Sequence, residues 1–347
     1  MSRELTDRIR AAGRALGFDA VGFAPAEPPP HAEFLREWLA RGYAGEMAWL
    51  GRRAAEREDP RRVLPGAQSA VLVAVVYDPC AEPAAERGAR VARYAGGRDY
   101  HDVLLERLAR LEADIAALAP GAKLRRYVDT GPVLERPLAA RAGLGWIGKN
   151  TLLIHPALGS YLFLGVLLTD LALASDAPEP DHCGSCRACL DACPTDAFVE
   201  PYVLDASRCL SYTTIELRGA IPEPLREPQG GWVFGCDVCQ EVCPWNLRSK
   251  RRVPADETGL RAALGRRAAW QAPALAELLA LDERAFAEAA AGTALERTRW
   301  RGLVRNALVA AGNSGDASLV PALRRHAAGS DALLAEHARW ALAQLEG

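Results

Sequence analysis

Lysine is scarce in this 347-residue chain, and long apolar runs are missing. Lys123, Lys149 and Lys250 are its only lysines, while arginine and alanine occur throughout. This bias reflects overall composition, so an arginine cluster in this chain is weaker evidence for nucleic-acid binding than usual. No stretch approaches the roughly 18 consecutive apolar residues of a membrane span. Residues 1–21 mix charges into an amphipathic pattern, unlike a signal peptide. We therefore expect a cytoplasmic protein without a membrane anchor.

Familiar cofactor motifs are missing as well. No G-x-G-x-x-G follows a predicted strand, so no nicotinamide or flavin fingerprint is visible. The 6 histidines form no H-x-x-x-H or H-E-x-x-H pair. Residues 143–149 fit G-x-x-x-x-G-K, but Asn150 takes the place of the Mg²⁺-binding hydroxyl and no strand precedes the motif. These differences disfavour a nucleotide P-loop.

Cysteine, by contrast, is concentrated in one segment, and Cys80 alone stands apart. The first run reads Cys183-x-x-Cys186-x-x-Cys189-x-x-x-Cys193-Pro194. The second, Cys236-x-x-Cys239-x-x-x-Cys243-Pro244, lacks its leading cysteine, which Cys209 is left to replace. In two-cluster ferredoxins the fourth cysteine of such a run ligates the other cluster. Crossing the fourth ligands predicts two [4Fe-4S] clusters, with the ligand sets Cys183, Cys186, Cys189, Cys243 and Cys209, Cys236, Cys239, Cys193.

Two other uses of these cysteines are open. Structural zinc is bound by paired C-x-x-C knuckles rather than by three cysteines in one run followed by Cys-Pro. A disulfide framework is typical of small secreted proteins. The pattern favours iron-sulfur clusters over both.

Hydrophobic patterns predict an α+β architecture. Helices are predicted over residues 3–17 and 31–42, with a short strand near residues 20–23 between them. The apolar, β-branched run at residues 70–77 suits a central strand covered on both faces. Leucine and isoleucine at 4-3-4-3 spacing predict a helix over residues 100–119 that packs on this sheet.

Later segments complete this outline. Further strands are predicted at residues 123–129, 150–155 and 160–170, and Pro132 suits the first turn of a helix. Residues from about 251 onward are predicted to be all-helical, as antiparallel helix pairs. We expect three domains: a sheet domain (1–175), a ferredoxin-like domain (176–250) and a helical domain (251–347).

Charge is distributed unevenly along the chain. From residue 245 onward, 15 lysines and arginines oppose 11 acidic residues, although the whole chain has a formal net charge of −2. The helical tail is therefore the part expected to face a polyanion. Residues 248–252 form a basic run that is either a solvated linker or a phosphate contact. Asp129, before Thr-Gly-Pro, is by itself typical of a helix cap.

Several stretches together resemble the epoxyqueuosine reductases, which are cobalamin-dependent iron-sulfur enzymes of tRNA modification. They are residues 93–101, 129–136, 143–151, 159–165, 209–212, 243–246 and 297–306, with the full cysteine pattern. The resemblance implies a cobalamin-binding sheet domain, a ferredoxin-like domain with two clusters and a HEAT-like helical domain. It also implies reduction of the epoxide of epoxyqueuosine to queuosine in the anticodon loop of tRNA.

The same resemblance implies roles for individual residues. Asp129 is the expected proton donor, with a pKa raised by burial so that it holds a proton near neutrality. Contacts to a base-off cobalamin are expected from Arg57, Ala92, Asp129, Gly148, Lys149, Asn150 and Ser211. A monomer is expected, supplied with electrons by an external low-potential donor of ferredoxin or flavodoxin type.

Two other functions compete with this interpretation. A ferredoxin-type electron carrier would need the cysteines but leaves the residues before them without a task. A reductive dehalogenase would share the corrinoid and cluster chemistry, although such proteins usually carry an export signal. A ferredoxin-type carrier would contain iron but have no affinity for cobalamin. A dehalogenase would release halide from an organohalide.

Overall fold

The computed structural model describes residues 3–78, 88–247 and 251–346, so Cys80 and residues 248–250 lie outside the described part of the chain. Within these ranges the protein mixes helices with sheet, as predicted. None of the helices in the described ranges is long and apolar enough to cross a membrane.

The region up to residue 170 builds an antiparallel sheet with helices on both faces. Its strands are Ala20–Pro25 (β1), Ser69–Val76 (β2), Arg90–Val91 (β3), Leu124–Tyr127 (β4), Trp146–Ile147 (β5), Leu153–Ile154 (β6) and Leu162–Thr169 (β7). Its helices are Arg3–Ala15 (α1), Ala32–Ala40 (α2), Trp49–Arg52 (α3), Ala54–Glu58 (α4), Tyr100–Leu118 (α5) and Glu135–Arg141 (α6). The main sheet has the order β1-β2-β7-β4, and each neighbouring pair is antiparallel. The prediction that residues 70–77 form an inner strand is confirmed by β2.

Strand β2 is buried along its whole length because helices cover both faces of the sheet. Val73 packs with Leu108 of α5 on one face, and its neighbour Leu72 packs with Leu138 of α6 on the other. This alternation follows from the period of two in a strand. Gly165 of β7 lies under α5, where a Cβ atom would come within 2.9 Å of the Leu108 side chain. Glycine there lets the helix lie close to the sheet.

Two local predictions need correction. Helix α6 begins at Glu135, so Pro132 lies in the preceding bend and not in the first turn. The strand predicted over residues 150–155 is only the two-residue β6, which pairs with β5 outside the main sheet. Leu134 has φ of −88° and ψ of 82°, outside the helical region, so α6 cannot start before Glu135. Thr151 has a left-handed backbone, with φ of 64°, which interrupts the predicted strand.

The cysteine-rich region has short elements joined by loops. They are Ala188–Asp191 (α7), Phe198–Glu200 (β8), Val203–Leu204 (β9), Leu210–Ile215 (α8), Glu223–Arg226 (α9), Trp232–Phe234 (β10) and Val238–Glu241 (α10). Strand β10 pairs in parallel with β3, which connects this region to the part of the chain that precedes it.

Between residues 251 and 346 the structure contains helices and no strand, as predicted. The helices are Leu260–Ala263 (α11), Leu275–Ala280 (α12), Glu283–Ala290 (α13), Arg299–Asn313 (α14), Val320–Ala327 (α15) and Ala332–Glu346 (α16). Helix α14 anchors them to the cysteine-rich region. Its Arg305 is fully buried and donates to the carbonyl oxygens of Thr213 and Gly219, and Asn306 donates to those of Thr214 and Val233. Because buried donors need partners, these bonds fix the position of α14.

Candidate iron-sulfur centres and active site

Four cysteines from the two runs line one cavity of about 210 Å³. Cys183, Cys186 and Cys189 come from the first run, and Cys243 comes from the second. A water molecule in the liquid takes up about 30 Å³, so the cavity is much larger than one ion. In the part of the chain that the structure describes, no three His, Cys, Asp or Glu side chains converge as ligands of a single metal ion. The size of the cavity and its four thiols suit a multi-atom group held by thiolates.

The other four cysteines, Cys193, Cys209, Cys236 and Cys239, form a second group of neighbouring thiols. Burial raises the pKa of Cys236, and the nearby thiols of Cys209 and Cys193 raise it further. Burial raises the pKa of Cys239 as well, with Cys236 and Cys209 adding to it. All eight cysteines of the two groups are free thiols, so the disulfide alternative is wrong for them. Buried thiols with raised pKa values need a cationic partner in order to ionise, and iron is such a partner.

A short loop after β5 contacts the peptide segments that carry both groups of thiols. Lys149 Nζ donates to the carbonyl oxygens of Gly184 at 2.5 Å and Cys186 at 2.9 Å. The Asn150 side chain donates to the carbonyl oxygen of Cys239 at 3.4 Å. The loop therefore ties the two cluster segments to the sheet region.

The structure places most of the other expected cofactor contacts beside the thiols. Ser211 donates from its backbone and its hydroxyl to the thiol of Cys209, and Ala92 packs in a small apolar cluster with Cys236. Gly148 is buried, and a Cβ atom there would lie 2.4 Å from the Ile154 side chain. Arg57 lies elsewhere. Its guanidinium is over the ring of Trp49 at 5.6 Å, within the electrostatic reach of Asp129.

Asp129 occupies the left-handed turn that precedes α6, and its carboxylate does not cap that helix. The N-cap position of α6 is Leu134, without a side-chain cap, so the helix-cap interpretation is wrong. Instead, the Asp129 Oδ2 atom accepts a hydrogen bond from the Tyr100 hydroxyl at 2.9 Å and lies 3.3 Å from His101 Nε2. The Asp129 backbone N–H donates to Glu135 Oε1 at 2.7 Å, which holds the turn in place. The Asp129 side chain stays 63% exposed.

The expected raised pKa of Asp129 is also wrong. Protein atoms around the Asp129 carboxylate displace part of its solvent and raise its pKa, although much of the side-chain surface is exposed. The hydrogen bonds from His101 and Tyr100 outweigh this effect, and the net shift of the pKa is downward. For His101, burial lowers the pKa, but the carboxylates of Asp129 and Asp99 raise it to about 9. For Glu135, burial and the charge of Asp129 raise the pKa to about 8. At neutral pH the protons therefore reside on His101 and Glu135, on either side of an ionised Asp129.

A stack of aromatic rings connects this group to the second thiol group. Tyr100 stacks on Phe163 with ring centroids 4.3 Å apart, and Phe163 contacts Tyr77 at 4.6 Å. The Tyr77 hydroxyl is within hydrogen-bonding distance of the side chain of Gln240, the residue after Cys239. The stack fixes the position of Tyr100, and through it that of Asp129, relative to the cysteine-rich loops.

Sequence reasoning missed Tyr100, His101 and Glu135 as site residues. The available signal was local. His101 ends the stretch 93–101, and Asp99 lies two residues before it, close enough for its carboxylate to contact the His101 ring at 2.7 Å. Nothing in the order of residues shows that the start of α5 meets the turn before α6, because β4 separates them in the chain.

The two groups of four thiols, and the loops that carry them, are typical of iron-sulfur proteins with two clusters. A family model for a 4Fe-4S double cluster binding domain matches residues 182–246. A second model, described as Epoxyqueuosine reductase QueG, DUF1730, matches residues 57–130. The chain belongs to the epoxyqueuosine reductase family.

Individual relatives support that membership. An epoxyqueuosine reductase of Gloeobacter violaceus is 46% identical over 312 residues, covering 89% of this chain and 96% of the relative. An epoxyqueuosine reductase solved with an epoxyqueuosine-modified tRNA stem loop has a TM-score of 0.89 at 31% identity, covering 99% of this chain and 91% of the other. Another, from Bacillus subtilis, has its catalytic aspartate loop swung out of the active site; its TM-score is 0.87 at 30% identity, covering 99% and 90%.

The contact between Asp129 and His101 predicts a measurable titration. We expect the imidazole of His101 to titrate near pH 9 in the intact protein, as its raised pKa of about 9 requires. Asp129→Asn removes one of the two carboxylates and should lower the pKa of His101 toward its ordinary value. Histidine-selective NMR across a pH series measures both values. His337, whose pKa burial lowers to about 4, is the internal control and should not change. An unaltered His101 titration in the variant would contradict the contact.

Proposed function

We propose that this protein reduces the epoxide of epoxyqueuosine to the alkene of queuosine in the anticodon loop of tRNA. The observation that carries the proposal is the proton-holding group around Asp129, which one aromatic stack joins to the loop of the second thiol group. A ferredoxin-type carrier has no use for such a proton site. Family membership favours the epoxide reductase over a dehalogenase.

The two thiol groups are proposed to hold [4Fe-4S] clusters with crossed fourth ligands. Cys183, Cys186, Cys189 and Cys243 would bind one cluster, in agreement with the cavity that these four side chains line. Cys193, Cys209, Cys236 and Cys239 would bind the other. An external low-potential donor of ferredoxin or flavodoxin type would supply the electrons. The remaining domain assignments, with a HEAT-like helical domain over residues 251–347, belong to the same proposal.

Cobalamin is the proposed second cofactor. The residues fit a redox cofactor because an exposed carboxylate with proton-holding neighbours stands at one end of the aromatic stack and a thiol group at the other. The residues that would hold it are Arg57, Ala92, Asp129, Gly148, Lys149, Asn150 and Ser211. When bound in its reduced form, it would supply the nucleophile that opens the epoxide and the electrons that its reduction requires; no protein side chain can supply those electrons.

Protein side chains would supply the protons. Converting the epoxide to an alkene consumes two electrons and two protons and releases the oxygen as water. His101 and Glu135 hold protons at neutral pH, and both contact Asp129, through its side chain and its backbone N–H respectively. We propose that His101 gives its proton to the Asp129 carboxylate, which passes it on to the departing oxygen and so returns to its ionised form. The swung-out aspartate loop of the Bacillus subtilis relative suggests that the turn at Asp129 also moves during turnover.

Arginines near Asp129 are the proposed contacts to the phosphates of the anticodon loop. Arg297 is half-exposed and donates two hydrogen bonds to the Glu216 carboxylate, at 3.0 and 2.9 Å. It also interacts electrostatically with Asp129, and its guanidinium lies 6.0 Å from the centroid of the Trp49 ring. Arg251, from the basic run expected to be a linker or phosphate contact, is only 6% exposed and donates to the carbonyl oxygen of Leu158. Arg251 therefore fits a structural role, and the phosphate contacts are better assigned to Arg297.

The proposed activity has a direct test. The reconstituted protein is incubated anaerobically with epoxyqueuosine-containing tRNA, cobalamin and a low-potential reductant, and the nucleosides are then analysed by mass spectrometry. We expect queuosine to form only when cobalamin is present. Unchanged epoxyqueuosine in protein with full iron and bound cobalamin would refute the proposal.

The crossed ligand sets predict which cysteine variants resemble each other. Wild-type protein should contain about eight iron atoms from two cubanes. Cys193→Ser and Cys239→Ser should each lose the same cluster, and Cys189→Ser and Cys243→Ser should each lose the other. Iron analysis and electron paramagnetic resonance of the remaining cluster measure this. If Cys193→Ser instead resembles Cys189→Ser, the ligand sets follow the sequence runs and are not crossed.

Replacing the proposed acid should abolish turnover without disturbing the cofactors. Asp129→Asn should retain both clusters and cobalamin while queuosine formation falls by about 10²- to 10⁴-fold, the usual contribution of a general acid. In wild type, turnover should fall as the pH rises through about 9, because His101 loses its proton there. Full activity in Asp129→Asn, or a flat profile between pH 8 and 10, would contradict the assignment.

The proposed phosphate contact predicts a change in salt dependence. Arg297→Ala should weaken binding of an anticodon stem-loop and reduce the slope of log K against log salt by about 1. Arg324→Ala, which removes an exposed arginine paired with Glu346, is the matched control. Filter binding or fluorescence anisotropy across a salt series provides the slopes. Equal slopes in the two variants would exclude Arg297 from the interface.

A further inference from the structure

Trp146 is neither a proposed cluster ligand nor one of the residues proposed to hold cobalamin. It lies at the start of β5, in the glycine-rich stretch 143–150, and its side chain is almost fully buried. The indole Nε1–H donates to the Cys183 Sγ atom at 3.5 Å, which is within range for a sulfur acceptor. The ring also packs edge-on against Trp245 and His182, at centroid distances of 4.9 and 4.8 Å. The Trp146 N–H thus contacts the Cys183 thiol, and the indole ring is held in place by the rings of Trp245 and His182.

The residues just after Trp146 hold the Cys183 segment in the same place. Lys149 places its ammonium between the carbonyl oxygens of Gly184 and Cys186, on both sides of the turn between the first two cysteines. Lysine is rare in this arginine-rich chain, and a compact ammonium fits between two carbonyls where a planar guanidinium would not. Asn150 makes the equivalent contact with the Cys239 carbonyl of the other set. The direction of the Trp146 N–H is therefore fixed relative to the thiol.

A hydrogen bond to a cluster sulfur changes the energy of one oxidation state more than that of the other. Reduction adds one electron and puts more negative charge on the sulfurs, so an N–H donor stabilises the reduced cluster more strongly and raises its reduction potential. The low polarity of the surrounding indole rings strengthens this effect. The electron comes from an external low-potential donor, and no bond of the cluster breaks.

We propose that Trp146 tunes the cluster held by Cys183, Cys186, Cys189 and Cys243, raising its reduction potential through the hydrogen bond to Cys183. Trp146 is a positioning residue that acts through the thiol. The hydrogen bond shifts the potential of this cluster alone, because the indole N–H contacts none of the described thiols of the other set. The inference rests on the cluster part of the proposed function and needs neither cobalamin nor tRNA.

The test is a redox titration of the full-length protein with both clusters reconstituted, followed by electron paramagnetic resonance, with dithionite as reductant. In Trp146→Phe, we expect full iron content and a lower midpoint for one of the two reduction steps. At a fixed potential, the ratio of oxidised to reduced cluster in that step should rise about fivefold, as expected for one lost hydrogen bond. The other step should not move.

A matched control removes a donor from the other set. Thr195→Val deletes a buried hydroxyl that lies 3.7 Å from the Cys193 Sγ atom. The step that shifts in Trp146→Phe should keep its wild-type midpoint in Thr195→Val. If the Thr195 variant shifts that same step, the assignment of Trp146 to one cluster is wrong.

A shape-preserving variant separates the hydrogen bond from packing. Benzothienylalanine in place of Trp146 keeps the two fused rings and replaces the N–H by sulfur, so it decides the matter even if Trp146→Phe loses iron. A lowered midpoint in one step supports the proposal. A wild-type midpoint, or an equal shift of both steps, overturns it. Because no tRNA is present, failure here differs from failure of queuosine formation.

Discussion

The gathering of eight free thiols in one segment, with all but Cys186 at least partly buried, is the constraint on which the rest of the structure depends. Burial alone raises the pKa of Cys239 far above its ordinary value, and each neighbouring thiol adds to the shift. Such a group is stable as thiolates only when a cation shares the space, so cluster binding and folding of these loops depend on each other. The loop that holds Lys149 and Asn150, the strand pair β3–β10 and helix α14 all contact this segment. Each of them supports loops that have little regular structure of their own.

The residues around Asp129 lie farther from the thiols, but the same packing of the sheet against the cysteine-rich loops positions them. Tyr100 and His101 begin α5, which packs along the sheet, while Asp129 and Glu135 flank the turn into α6. The rings of Tyr100, Phe163 and Tyr77 pack in sequence toward Gln240, so a shift of the cysteine-rich loops would move the hydroxyl that donates to Asp129. The arrangement gives a physical reason for electron-supplying and proton-supplying groups to keep a constant separation.

The structure also changes how the acid is understood. A carboxyl group held neutral by burial was the expected form of Asp129, whereas the hydrogen bonds from His101 and Tyr100 favour its charged form. The proton is stored on the imidazole and not on the carboxylate. In the proposed reaction Asp129 would pass the proton from His101 to the substrate, because its side chain is exposed while that of His101 is three-quarters buried.

The sequence by itself determined the features that depend on the spacing of neighbouring residues. Two-residue gaps between cysteines define the cluster loops, the β-branched run at 70–77 defines the inner strand, and the apolar period defines α5. Tertiary structure alone decided which distant groups meet. The pairing of Cys243 with the first run in one cavity, the docking of Lys149 on the Cys186 loop and the contact of His101 with Asp129 join residues separated by 28 to 60 positions. Such contacts depend on how the sheet and its loops pack, and packing leaves no periodic signal in a single sequence.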